Sequence, residues 1–245
     1  MISVRNLVKT LGDQEVLRGV DLEVQNGETC VVMGRSGGGK SVLIKHFIGL
    51  FKPTSGEVWV DGEEITKLEE RKLGSLRKKI GMLFQSGALF DSMNVEENIA
   101  FPLREAGVKD PEEIRDRVAE ALEMVDLAGE QKKMPENLSG GMRKRVGLAR
   151  TIVSRPSCVL YDEPTTGLDP IATDSINHLI RRLQKRLSVT SVVVTHDLKT
   201  AFHTADRIAF LHEGRIYFHG LPAELRASQD QTLVNFVEGH SGESD

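Results

Sequence analysis

The residues best suited to chemistry form a glycine-rich segment, Gly34 to Ser41, which fits the pattern G-x-x-x-x-G-K-[ST]. Glycines carry no Cβ, so the backbone N–H groups of such a loop can converge on phosphate oxygens, and a helix beginning near Lys40 would add its positive dipole end. Lys40 would reach the β- and γ-phosphates, and the Ser41 hydroxyl would bind Mg²⁺. Because the segment lies between a buried strand and a helix, we favour a phosphate-binding loop over a flexible turn. Its predicted binding residues are Gly34, Arg35, Ser36, Gly37, Gly38, Gly39, Lys40 and Ser41.

A second candidate is the acidic pair that follows the apolar run Cys158 to Tyr161. Asp162 is placed to hold Mg²⁺, directly or through water, as in other P-loop NTPases. Glu163 would lie nearer the γ-phosphate, where a carboxylate can orient and polarise an attacking water. Such a pair can also belong to a helix N-cap, but the phosphate loop upstream favours the catalytic interpretation.

The third candidate is Leu138-Ser139-Gly140-Gly141-Met142, which a basic run follows. Ser139 can cap a helix whose glycines leave the N–H groups of the first turn open to an anion. The alternative is an ordinary capped helix with a basic, solvated face. Taken by itself, this segment leaves both interpretations open.

Strands and helices that could position these residues alternate along the chain. Thr29–Met33, Cys158–Tyr161 and the run from Val189 to Thr195 are short continuous apolar runs, typical of strands buried on both faces. Near the N-terminus, Ile2–Val4 and Val20–Val24 instead alternate apolar and polar residues, as half-exposed strands do. Buried strands separated by helices predict an α/β fold.

The helices are predicted from their caps and their periodicity. One begins after Asp169-Pro170 and another at Pro111, each with apolar residues on one face. The second lies in a stretch from about residue 86 to 155 that contains no buried-strand run, so we predict a helical subdomain inserted in the sheet domain. Two short strands are expected between Asp206 and Gly220, joined by a turn at Glu213-Gly214.

Composition narrows the class of protein. The 245 residues carry 32 Lys+Arg against 36 Asp+Glu and a net charge of −4, an ordinary globular balance that disfavours broad capture of nucleic acid. No apolar run approaches the roughly 20 residues of a membrane-spanning helix, and the N-terminus lacks a secretory signal, so a cytosolic location is expected. Cys30 and Cys158 are expected to be reduced residues of the core. Residues 1–245 are expected to form one domain, in which residues 239–245 are a flexible tail.

Together these motifs resemble those of the ATP-binding cassette (ABC) ATPases. Leu-Ser-Gly-Gly resembles that family's signature motif, Gln85 its Q-loop, Thr166 to Asp169 its D-loop and His196 its switch histidine. The resemblance spans Ile2 to about Glu238, with the motifs in the family's order. It implies a P-loop NTPase (RecA-like) core with an antiparallel β subdomain and an inserted helical subdomain.

The resemblance also implies an ATPase with ATP and Mg²⁺ at a site that two head-to-tail copies share. Ser139 and Gly141 of one copy would contact the γ-phosphate held by Lys40 of the other. Leu11 occupies the position where the family usually has an aromatic residue on adenine, and Met142 replaces the usual glutamine. The implied catalytic residues are Glu163, His196, Lys40 and Gln85; the implied metal ligands are Ser41, Gln85 and Asp162; the further nucleotide contacts are Leu11, Val16, Ser139, Gly140, Gly141 and Asp169.

Within the family, the run from Met82 to Glu105, together with Leu-Ser-Gly-Gly-Met, resembles the ATPases of the Mla/Mce-type lipid transporters, the MlaF family. In the wider family this region forms a groove for a helix of the membrane permease, which is consistent with the exposed-looking Leu89, Phe90 and Met93. The resemblance implies phospholipid transport from the cytoplasmic face of the inner membrane, with permease subunits and an Mce-domain lipid-binding protein as partners. It also leaves room for a small regulatory subunit. Three alternatives remain: a transporter of another solute, a non-transport cassette acting in DNA repair or translation, and a binding-only subunit.

Overall fold

The computed structural model describes residues 1–239, and its strands and helices alternate along the chain. The strands are β1 (Ile2–Leu11), β2 (Gln14–Val24), β3 (Thr29–Met33), β4 (Ser55–Val60), β5 (Glu63–Glu64), β6 (Ile80–Leu83), β7 (Cys158–Asp162), β8 (Thr190–Thr195), β9 (Arg207–His212) and β10 (Arg215–Gly220). The helices are α1 (Lys40–Phe47), α2 (Glu70–Arg77), α3 (Val95–Glu105), α4 (Pro111–Met124), α5 (Gly140–Ile152), α6 (Pro170–Leu187), α7 (Leu198–Thr204), α8 (Pro222–Arg226) and α9 (Gln231–Glu238). A 3-10 turn lies at Pro135–Asn137.

The chain divides into two compact units, and the first consists of residues 1–68 with the segment that begins at Val192. It contains an antiparallel sheet in the order β2-β1-β4-β5. β1 is longer than the predicted Ile2–Val4, because a register irregularity between Val4 and Leu7, where Asn6 has φ 44°, interrupts the alternation that marks a strand in the sequence. The aligned apolar faces of β1 and β2 bury Ile2 and Leu7.

The first unit also contains β10, β9 and β3 in that order, with β3 parallel to β9 and β9 antiparallel to β10. Every residue of β3 is buried, as its continuous apolar run predicts. The β9–β10 hairpin turns at Glu213 and Gly214, both with positive φ, which confirms the predicted turn.

The second unit covers Glu69–Ser191. Its strands β6 and β7 are parallel, with Ile80 opposite Cys158 and Leu83 opposite Tyr161. Residues 86–155 form α3, α4, the 3-10 turn and α5 without a strand, as the sequence predicts. The unit is larger than that segment, since it also includes β6, β7, α2 and α6, and the inserted helical subdomain stays a prediction.

Several smaller expectations can be compared with the structure. Cys30 and Cys158 are buried free thiols, as expected, and burial raises the pKa of Cys30 to about 12. No helix among residues 1–239 is long and apolar enough to span a bilayer. The predicted flexible tail lies outside the described residues except for Gly239, which ends α9.

Candidate nucleotide-binding site

The phosphate-binding loop from Gly34 to Ser41 (the P-loop) leaves β3 in a path that only glycine permits. A Cβ on Gly34 would lie 2.3 Å from the carbonyl oxygen of Leu211 on β9, well inside any real contact. Gly39 has φ 94°, and its Cβ would lie 3.0 Å from a methyl of Val16 and 3.1 Å from one of Leu17. The loop is therefore pressed against β9 on one side and β2 on the other, so its shape is set by contacts of the first unit.

The helix that follows the P-loop begins without a side-chain cap. Gly39 occupies the N-cap position of α1 and, having no side chain, makes no side-chain cap hydrogen bond. The Lys40 ammonium is buried and donates to the carbonyl oxygens of Gly34 and Arg35, each at 3.0 Å. An uncapped N-terminus beside a buried cation is suited to bind an anion, and a phosphate group fits this cradle.

Three further predicted residues lie in the first unit. Val16 contacts the P-loop at Gly39, whereas Leu11 ends β1 and is 40% exposed, an apolar surface available to a flat ring. His196 follows the buried strand β8 and is exposed. The turn after it is fixed by Asp197, whose backbone N–H donates to Thr195 Oγ1 at 3.0 Å and whose carboxylate caps α7.

The acidic pair of the second unit lies at the end of β7, as predicted. Asp162 and Glu163 are both nearly buried, with 7% and 9% of their surface exposed. Glu163 has φ 49°, an uncommon conformation for a residue with a side chain. Thr166 supports it twice, because its hydroxyl donates to Glu163 Oε2 at 3.2 Å and its backbone N–H donates to the Glu163 carbonyl at 3.3 Å.

The signature segment and the D-loop lie against each other in the second unit. Ser139 caps α5 by accepting from the Met142 N–H at 3.2 Å, as predicted. A Cβ on Gly140 would lie 3.5 Å from Leu168, and one on Gly141 would lie 3.7 Å from the side chain of Ala172, both ordinary contact distances. Ser139 and Gly140 are exposed. The segment is therefore presented at the surface of the unit rather than folded into it.

Asp169, the last residue of the D-loop, is the N-cap of α6. Its carboxylate accepts from the N–H groups of Ile171 and Ala172, each at 2.9 Å, and so starts α6. Ile171 is 84% exposed, which is unusual for a large apolar side chain. Ile171 and the signature segment are therefore both exposed on the second unit.

Gln85 follows β6 in an exposed segment that two cations of α5 bind. The Lys144 ammonium donates to the Gln85 carbonyl. Arg150 donates to the carbonyls of Gly87 at 2.9 Å and Ala88 at 2.8 Å. Sequence reasoning misses both contacts, because a basic run after Ser139 is typical of a solvated helix face, whereas Lys144 is buried. Its spacing of four from the apolar Leu148 was the available indication.

The oxygen donors needed for Mg²⁺ are present in both units. Ser41 offers a hydroxyl in the first unit, and Asp162 offers a buried carboxylate in the second. Gln85 adds an exposed side-chain amide. Hydroxyl, carboxylate and amide oxygens are the ligands that Mg²⁺ prefers, so each of these residues has the donor chemistry of a magnesium ligand.

Comparison with known proteins decides the family. The sequence profile described as "ABC transporter" matches residues 17–166, more than half of the chain. The chain belongs to the ABC transporter family. It is an ATPase domain of that family, which hydrolyses ATP in a reaction coupled to transport, and cassettes of the family bind ATP and act as dimers with membrane permease subunits.

Two curated relatives match almost the whole chain. One is the probable ribonucleotide transport ATP-binding protein mkl of Mycobacterium leprae, 41% identical over 97% of this chain and 69% of its own length. The other is the intermembrane phospholipid transport system ATP-binding protein MlaF of Haemophilus influenzae, 40% identical over 98% of this chain and 91% of its own length. The ABC cassette thus matches in both, while the transported substances named for them differ.

A solved structure is similar to most of the chain. It is a dimeric ATP-binding cassette in a post-hydrolysis state bound to ADP and Pi, with a TM-score of 0.82 and 34% identity. The match covers 90% of this chain and 98% of that one. It confirms the predicted fold class of an ABC ATPase with an α/β core.

Proposed function

We propose that this chain is the ATP-hydrolysing subunit of a phospholipid transporter, working at the cytoplasmic face of the inner membrane. The observation that supports phospholipid as the transported substance is the match to MlaF over 91% of that protein's length. The run from Met82 to Glu105 supports it, because the sequence of this run resembles the MlaF family. Transport of another solute is the second candidate, and the similarly high identity to mkl, named for ribonucleotide transport, favours it.

The proposed hydrolysis site combines residues of two copies. Lys40, Ser41 and Asp162 would hold Mg·ATP in one copy, and Ser139 and Gly141 of the other copy would contact the γ-phosphate. The exposure of Ser139 and Ile171 supports this arrangement, since a surface of this kind is covered when two copies pair.

Glu163 is proposed to position and polarise the attacking water, while Lys40 and His196 stabilise charge that develops on the γ-phosphate. Near burial of the Glu163 carboxylate and its bond from Thr166 support that role, because a fixed carboxylate needs little rearrangement during reaction. Gln85 would sense the metal and the permease from the exposed Q-loop. Leu11 and Val16 are proposed to hold adenine by apolar contact, and Asp169 to order the D-loop.

A groove in the second unit supports a permease partner. It encloses about 700 Å³ and is lined by apolar side chains, among them Phe84, Phe90 and Phe101, together with basic ones, among them Arg77 and Arg150. We propose that a short permease helix with an apolar face and acidic residues occupies it. An Mce-domain protein and a small regulatory subunit complete the proposed complex.

Glu163→Gln is the test of the hydrolysis assignment. In the complex purified with its membrane partners, we expect ATP turnover to fall by about 100-fold or more, because the carboxylate no longer polarises water. Glu123→Gln, at an exposed position on α4, is the matched control and should hydrolyse at the wild-type rate. Equal turnover in Glu163→Gln and wild type would remove Glu163 from the mechanism.

The cargo is tested in vesicles that contain the purified complex. ATP-dependent movement of a labelled phospholipid, lost in Glu163→Gln, is the expected result. Movement of a labelled ribonucleotide without movement of lipid would show that phospholipid is not the transported substance, and it would leave the assignment as an ATPase unchanged. Copurification of nucleic acid in place of a permease would favour the non-transport class.

A further inference from the structure

The Lys144 side chain joins two segments that the proposed mechanism uses separately. Lys144 lies on α5, five residues after Ser139, and only 5% of its surface is exposed. Its ammonium donates to the carbonyl oxygen of Gln85 and, at 3.4 Å, to that of Glu163. One buried cation therefore bonds to the backbone of the Q-loop and to the backbone of the proposed catalytic glutamate.

Such a position is costly for a lysine. Burial disfavours the charged form and lowers the pKa of Lys144, against the opposing effect of the nearby Glu163 and Asp162 carboxylates. The two backbone bonds and the two carboxylates are what offset this cost.

We propose that Lys144 is a positioning residue, which fixes the backbone of Glu163 and of Gln85 relative to each other for ATP hydrolysis. Glu163 has a left-handed φ of 49°, and its carbonyl accepts from both the Thr166 N–H and Lys144. A residue in this conformation persists only when its surroundings hold it. Lys144 would hold the backbone from one side while Thr166 holds it from within the same turn.

The same helix binds the Q-loop at further points, which extends the inference to the groove. Arg150 donates to Gly87 and Ala88, and a Cβ on Gly147 would lie 3.1 Å from the Gly87 carbonyl oxygen. Ala88 lines the groove proposed for the permease helix. If a permease helix displaces the segment that lines the groove, Lys144 would relay that displacement to the backbone of Glu163. This part of the inference rests on the proposed function.

The test compares Lys144→Met, Lys144→Gln and Lys144→Arg in the purified complex, with Lys185→Met as the matched control. Lys185 is an exposed lysine on α6 of the same unit. For Lys144→Met we expect kcat to fall by about ten- to a hundredfold with KM for ATP within about twofold, because the water is misplaced while ATP still binds. Stimulation of turnover by the permease, measured as the ratio to the isolated chain, should fall as well. Lys144→Arg, which keeps a cationic donor, should retain more kcat than Lys144→Met, and Lys185→Met should match wild type.

Several results would overturn the proposal. These are a Lys144→Met kcat within about twofold of wild type, a rise in KM without a fall in kcat, and a kcat in Lys144→Arg as low as that of Lys144→Met. If Lys144→Met does not fold, the pair Lys144→Gln and Lys144→Arg answers the same question, with Lys144→Arg expected to be the faster. Failure of the proposed function is distinguishable, because wild type itself would then show no ATP turnover or no stimulation by the permease.

Discussion

The P-loop follows the buried strand β3 and the Q-loop follows the half-buried strand β6, and the structure holds the two loops by different means. In the P-loop, glycines without side chains allow the chain to press against Leu211 and Val16. In the Q-loop, charged side chains of α5 reach out and bind backbone carbonyls at Gln85 and Gly87. The P-loop is fixed by close packing, whereas the Q-loop is fixed by hydrogen bonds from the side chains of α5.

The difference follows from what each loop has to contact. A loop that binds phosphate must keep its N–H groups free and its surface clear of side chains, so its shape has to come from packing behind it. A loop that adjusts to a partner can be held by long, charged side chains that bond to its backbone, so that a displacement of the loop also moves the side chains bonded to it. We therefore expect substitutions in the P-loop to act through sterics and substitutions near the Q-loop to act through lost hydrogen bonds.

Among the substitutions that test this comparison, Gly34→Ala should have the largest effect on stability. The added Cβ would collide with the Leu211 carbonyl, so the loop or β9 must move, at a cost of about 3 kcal/mol in the free energy of unfolding and about 6–12 °C in Tm. Thermal unfolding and ATP binding measure the two consequences. Gly74→Ala is the control, because nothing lies within 4 Å of its Cβ on α2, and it should stabilise by about 0.5–1 kcal/mol. A Gly34→Ala protein with wild-type Tm and ATP affinity would contradict the packing account.

Arg150→Met should have an intermediate effect, since it removes the bonds to Gly87 and Ala88 while keeping an apolar side chain. We expect a loss of about 2 kcal/mol in unfolding free energy, together with weaker stimulation of ATP turnover by the permease. Arg155→Met is the control, because the Arg155 side chain is 64% exposed in its ion pair with Glu120 and should cost less than about 1 kcal/mol. Equal losses of unfolding free energy in Arg150→Met and Arg155→Met would contradict the claim that Arg150 holds the Q-loop.

Ser139→Ala should have the smallest effect on stability and a separate effect on activity. Loss of the cap on α5 costs about 1 kcal/mol. Asp110→Ala removes the comparable cap of α4, where the carboxylate accepts from the Glu112 N–H at 2.9 Å, and should cost about as much. Only Ser139→Ala should also slow ATP turnover, by about tenfold, because only Ser139 is proposed to contact a phosphate. Equal turnover in the two variants would make Ser139 a cap and nothing more.

Much of the fold was predictable because the deciding features are local. Thr29–Met33 is a buried strand, as its apolar run indicates, and Asp169-Pro170 starts α6. The full length of β1 was not predictable from alternation, since the irregularity near Asn6 shifts the period. The pattern failed there because the backbone departs from regular strand geometry.

The candidate site was predictable to a smaller extent. Motif spacing gives the P-loop, the acidic pair and the signature segment, but it gives no contact between residues far apart in sequence. The bonds from Lys144 to Gln85 and Glu163 join positions 59 and 19 residues away, and they depend on how α5 packs. A lysine in a basic run resembles a surface residue until that packing is known.

The central claim, that two copies build each ATP site from a P-loop and a signature segment, can be tested by the mass of Glu163→Gln in solution. With ATP and Mg²⁺, light scattering should give a particle of about twice the 27.1 kDa of one chain, because ATP that is not hydrolysed keeps the two copies together. Without nucleotide, or with Ser139→Arg added to the same chain, the mass should be that of one copy. A single-copy mass with ATP, or an unchanged dimer when Ser139→Arg is present, would contradict the shared site.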